Sequence, residues 1–97
     1  MEINKLKGYL NISNKAGYMI VGGEKLDSYN KKLYLVIYDK TAQKSTIKVV
    51  EKIKTRGIPV VEVENLEELI SIKNCKIIGL KNKNLSDIIV DIIEGKE

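Results

Sequence analysis

The stretch Leu33–Lys44, LYLVIYDKTAQK, decides the fold. Leu33 to Tyr38 is aromatic and branched throughout, with no polar residue at either phase of a two-residue period. That pattern predicts a strand covered on both faces. Asp39, Lys40 and Thr41 then supply a polar turn, and a lysine-bearing helix follows over about Ala42–Arg56, ended by Gly57. Ile47, Val50 and Ile53 form the core stripe of this helix, widened by Val49. A doubly covered strand feeding an amphipathic helix is the signature of a layered α/β domain.

The same alternation continues in both directions. Upstream, Ile3, Leu6, Leu10 and Ser13 recur at helical spacing, and Gly17 suits the left-handed residue that closes a helix. Tyr18–Val21 is a short strand stopped by Gly22 and Gly23. A short helix from Glu24 to about Lys31 comes next, with its glutamate in the first turn, where the dipole is positive. Downstream, Ile58–Val63 forms a strand with Pro59 near its start. Asn65 and Glu68 make a capping-box-like opening to a short helix. Lys76–Leu80 is the last strand. Asn84 is placed to cap a final helix with Asp87 in its first turn, and Leu85, Ile88, Ile89, Ile92 and Ile93 are its core stripe. The predicted architecture is one α/β domain over residues 1–97. It is a three-layer α/β/α sandwich on a central, largely parallel sheet of about four strands.

Composition narrows the chemistry. The 97 residues are 43% hydrophobic and 31% charged, which describes one globular domain. No apolar run approaches the ~20 residues of a membrane span, and MEINKLKGYL lacks the apolar stretch of a signal peptide. A single cysteine, Cys75, leaves no internal disulfide and fits a reducing cytoplasm. There is no histidine, so triads that depend on one and histidine-bearing zinc sites are excluded. No P-loop or GxGxxG motif occurs. The chain therefore reads as non-enzymatic, with no cofactor. Cys75 is read as a small buried residue and Asp39 as a cap for the long helix or its preceding turn.

Charge is unevenly spread. Residues 1–56 hold 12 of the 17 basic residues and 5 of the 13 acidic ones, a local +7, while residues 57–97 sum to −3. A basic half suits a polyanionic partner, because neutralised phosphates release their counterions. Lys40, Lys44, Lys48 and Lys52 recur every four residues along the long helix and its lead-in, predicting one ridge beside the apolar stripe. By itself such a ridge is an ordinary solvated face. It gains meaning if Lys15, Lys25, Lys31 and Lys32 gather with it.

At these residues the chain resembles the kink-turn RNA-binding family of ribosomal proteins, which includes the large-subunit proteins seven-Ae and thirty-e and small bacterial relatives. The resemblance is carried by Asn14-Lys15-Ala16-Gly17, by Val21-Gly22-Gly23-Glu24, and by the strand ending in Asp39 with Lys40, Thr41, Lys44 and Thr46 after it. Gly57-Ile58-Pro59-Val60-Val61 and Glu68-Leu69 extend it over nearly the whole chain. It implies a protein that binds a sharply bent, structured RNA through the glycine loop and the start of the second helix. Carried over, Gly22, Gly23, Glu24 and Lys25 make the contact, Lys15 and Lys40 are phosphate neighbours, and Lys44 continues the basic surface. The chain departs from the family in a shorter second helix and in Ile70, which stands where the Glu-Leu-Gly loop has glycine. If those departures abolish RNA recognition, the alternative is a module that keeps the fold and binds a protein partner.

Overall fold

The computed structural model describes residues 2–96. Among them, five helices alternate with four strands: α1 (Ile3–Lys15), β1 (Met19–Val21), α2 (Gly23–Ser28), β2 (Leu35–Asp39), α3 (Lys44–Thr55), β3 (Val60–Val63), α4 (Leu66–Ile70), β4 (Ile77–Leu80) and α5 (Lys83–Glu94). The strands form one sheet in the order β1-β4-β2-β3.

Side chains alternate across this sheet as a two-residue period requires. Leu35 and Ile37 of β2, with Ile78 and Leu80 of β4, pack against Leu6, Leu10, Leu66, Ile89 and Ile92 from α1, α4 and α5. Val36 and Ile77 point the other way, onto Leu26 of α2 and Val50 and Ile53 of α3. The strand predicted from LYLVIYD is thus covered on both faces, with Val36 and Ile37 both 0% exposed. The three-layer sandwich follows directly.

The sheet is mixed rather than largely parallel. β2 pairs with β3 in parallel, but β4 lies between β1 and β2 and runs antiparallel to both. The link through α2, residues 22–34, carries the chain back across the sheet so that β1 and β2 run the same way, whereas the link through α4, residues 64–76, does not. β4 instead sets off from the end where β3 finished. Gly79 lets this central strand pass beneath α2, since a Cβ there would lie 2.5 Å from Leu26 Cδ2.

Several helix ends differ from expectation. α2 stops at Ser28, whose hydroxyl turns back to the carbonyls of Glu24 and Lys25, and Tyr29 is already extended. α3 starts at Lys44 rather than Ala42, because Gln43 is extended, with φ −76 and ψ 169, and Ala42 closes the preceding turn on the Asp39 carbonyl. α5 is capped by Asn82, not Asn84: its side-chain oxygen accepts the Leu85 N–H at 2.9 Å. Ser13 is fully buried and donates to the Tyr9 carbonyl within α1.

Candidate nucleic-acid interface

β1, β2 and β3 all point toward one end of the sheet, and β4 starts there. This end therefore collects the β1–α2 turn, the β2–α3 turn and the loop leading into β4. Gly22 ends the first of these with φ 99 and ψ 151, a conformation open essentially to glycine alone. Its N–H is fixed by the Ile77 carbonyl at 3.0 Å. No heavy atom lies within 4 Å of where its Cβ would be. Gly23 begins α2 and faces Ile77 and Val49 at ordinary contact distance.

Asp39 organises the second turn. One carboxylate oxygen accepts from the Thr41 N–H at 2.8 Å and the Thr41 hydroxyl at 2.7 Å. The other accepts the buried Leu66 N–H at 2.8 Å. Burial alone would raise the Asp39 pKa, but these hydrogen bonds, helped by Lys76 at 4.0 Å, outweigh it and hold the carboxyl below its ordinary range. Asp39 is therefore an ionised structural anchor. It caps α4 rather than the long helix.

The two turns and the loop before β4 enclose an open cleft of about 350 Å³. Gly22, Gly23, Thr41, Gln43, Thr46 and Lys76 line it, and no carboxylate does. α3 opens onto this cleft without a side-chain cap and with no acidic residue in its first turn. Its leading N–H groups thus face an anion-compatible surface. α2 adds little field of its own, because six residues are under two turns. Cys75 lies at the cleft floor but is 4% exposed, and its thiol donates to the Ile77 carbonyl. Burial pushes its pKa up, which keeps it a neutral, unreactive thiol.

The residues singled out in the sequence gather only in part. Gly22 and Gly23 share the cleft just described. Glu24 lines a neighbouring groove with Gly23, Asp27, Ser45 and Thr46. Lys25 is exposed on α2 outside both. Lys40 is paired with Glu64 at 2.8 Å, an exposed contact that raises its pKa. Lys52 is paired with Asp27 at 2.9 Å. Among the described residues Lys44 and Lys48 have no carboxylate partner, so two of the four ridge lysines stay uncommitted. Lys15, Lys31 and Lys32 do not join them, because they precede β1 and β2 and so lie at the opposite end of the sheet. The sequence reading missed Gln43, Asn74 and Lys76, which long-range packing brings to the glycines.

Among the described residues no helix is long and apolar enough to cross a membrane, and no cluster of three potential metal ligands occurs. No protein-family model matches this chain, and no curated protein matches it. A solved structure of a protein of unknown function from Bacillus halodurans C is similar at 25% identity and a TM-score of 0.81, covering 93% of this chain and 97% of that one. The likeness bears on the fold, which the two chains share over nearly their whole lengths.

Proposed function

We propose that this chain is a non-enzymatic, ribosomal-protein-like RNA-binding protein that recognises a bent, structured RNA of the kink-turn type by shape and phosphate contacts. The observation that carries the reading is the carboxylate-free cleft in which Gly22 and Gly23 face the uncapped start of α3. Glycine without a Cβ admits an RNA backbone closely. The α3 N–H groups and the hydroxyls of Thr41 and Thr46 offer donors to phosphate oxygens. Lys44 adds a cation unpaired among the described residues, and the family resemblance supports the same loop. The test is a gel-shift titration of a kink-turn RNA against a straight duplex at low and physiological salt. Preference for the bent RNA that persists at physiological salt is expected. Equal binding that salt erases, or none, refutes the reading.

One observation favours the alternative of a protein-binding module. A groove of about 450 Å³ runs between α1 and the β3 side of the sheet, with Ile3, Val63, Leu69 and Ile93 on its floor and Glu62 and Glu64 on its rim. β3 is an edge strand, so an extended basic, apolar segment of a partner could pair beside it. Failure of the RNA test together with partner-dependent protection of β3 amides would select this reading.

A further inference from the structure

The end of the sheet opposite Gly22 has a different charge balance. Its loops, residues 14–18, 29–34, 55–59 and 81–84, contain Lys15, Lys31, Lys32, Arg56, Lys81 and Lys83 and no acidic residue. The loops at the Gly22 end, residues 22–25, 39–44, 64–68 and 71–76, hold five basic and five acidic residues. Of the six cations at the opposite end, only Lys83 has a carboxylate partner among the described residues, Asp87 at 2.8 Å. The loops at this end thus carry six positive charges and no negative one, whereas those at the Gly22 end balance.

A cleft of about 330 Å³ opens at this end, lined by Lys32, Tyr34, Arg56, Pro59 and Lys83 among others. The Arg56 guanidinium donates to the carbonyls of Tyr29 and Lys31 at 3.1 and 2.9 Å, which holds the loop before β2 in place. Tyr34 precedes β2 and belongs to neither apolar core, contrary to its expected burial. Its ring carries the Lys32 ammonium 5.6 Å from its centroid. Tyr18 is 39% exposed, and its carbonyl accepts the Lys81 N–H at 2.8 Å. On the other side of β4, the Tyr34 N–H donates to the Leu80 carbonyl. Tyr18 and Tyr34 thus flank the end of β4, two strand spacings or roughly 10 Å apart.

We infer that this end of the sheet is a second, separate RNA-binding site, which seats an unpaired nucleotide of single-stranded RNA against Tyr34 with its flanking phosphates on Lys31, Lys32 and Lys81. Aromatic faces beside lysines that no carboxylate pairs among the described residues are what single strands recognise, because their bases are free to stack. A duplex offers the same phosphates but no free base face. The site does not depend on kink-turn recognition. One chain could hold a bent duplex at one end and an adjoining single strand at the other.

The test is fluorescence anisotropy of the full chain with a labelled twelve-nucleotide oligouridine, with a blunt RNA duplex of equal length as control. Lys31→Glu/Lys32→Glu/Lys81→Glu is expected to abolish oligouridine binding. Tyr34→Ala is expected to weaken it about tenfold, while Tyr34→Phe, which keeps the ring, binds as the parent does. Lys40→Glu/Lys44→Glu, at the other end, is expected to leave it unchanged. Thermal melts show which variants remain folded, and the surface charge reversals test the site even if Tyr34→Ala does not fold. Oligouridine binding that is absent at low salt, survives the triple reversal, or is lost with Lys40 and Lys44 instead overturns the inference.

Discussion

The carboxylate of Asp39 accepts the backbone N–H of Leu66 at 2.8 Å, tying the end of β2 to the start of α4 across 27 positions. The residue expected to cap α4 does not do so. Asn65 is left-handed, with φ 54 and ψ 55, and its side chain instead donates to Glu68 at 2.7 Å. A buried ion thus closes a helix in a different part of the chain and shapes the cleft wall through Thr41. Asp39→Asn should destabilise the fold by about 2 kcal/mol, because a charged acceptor of several N–H and O–H groups is removed. A carboxyl whose pKa is depressed by folding contributes stability above its unfolded pKa and loses it as pH falls through the folded value. Stability of the parent should therefore decline on acidification below about pH 4, and Asp39→Asn should decline less. Urea denaturation across pH measures both effects.

Gly22 and Gly23 separate folding from binding. Gly22→Ala forces φ 99 on a residue with a side chain and should cost roughly 1–3 kcal/mol in a thermal or urea melt. Gly23 has no positive φ, and an added Cβ meets nothing closer than 3.9 Å. Gly23→Ala should fold at least as stably as the parent. If RNA approaches this backbone, the same variant should bind a kink-turn RNA at least about tenfold more weakly, since one methyl blocks close approach. Unchanged affinity would move the contact elsewhere.

Gly79→Ala tests the fit of α2 over the sheet. The new methyl would collide with Leu26, which is 1% exposed and has little room to retreat. Overpacking of this kind costs about 1–3 kcal/mol. Combining it with Leu26→Ala should cost less than the sum of the two single changes, and a double-mutant cycle reads that coupling.

The lysines at the Gly22 end predict a salt signature. Lys40→Glu/Lys44→Glu should weaken binding to kink-turn RNA while the domain stays folded. It should also flatten the plot of log affinity against log salt by roughly 0.7–0.9 for each phosphate that is no longer neutralised. Full affinity with both charges reversed would exclude this surface.

Cys75 provides a probe of the fold. Its raised pKa and 4% exposure predict negligible reaction with a disulfide reagent in the native protein at neutral pH. Rapid labelling is expected in denaturant, and labelling of the native protein would instead report local opening of the loop before β4.

The sequence determined the order of elements and most of what each one buries. Helical spacing found Leu6 and Leu10 in α1 and Ile89 and Ile92 in α5. The unbroken apolar run found the doubly covered β2. Gly17 and Gly57 mark helix ends at φ 78 and 77, as their chemistry required. These are local properties, set by period and backbone sterics, so they are written locally. The tertiary structure alone decided the direction of β4, the source of the α4 cap and the sorting of the lysines. β4 reverses because residues 64–76 stay at the sheet end where β3 finishes, and Asp39 reaches Leu66 only once β2 and β3 have paired. Charges clustered in sequence separate to opposite ends because each strand carries the chain across the sheet. Lys40 is thereby paired with Glu64, while Lys15, Lys31, Lys32 and Lys81 fall at the other end of the sheet, in loops without an acidic residue.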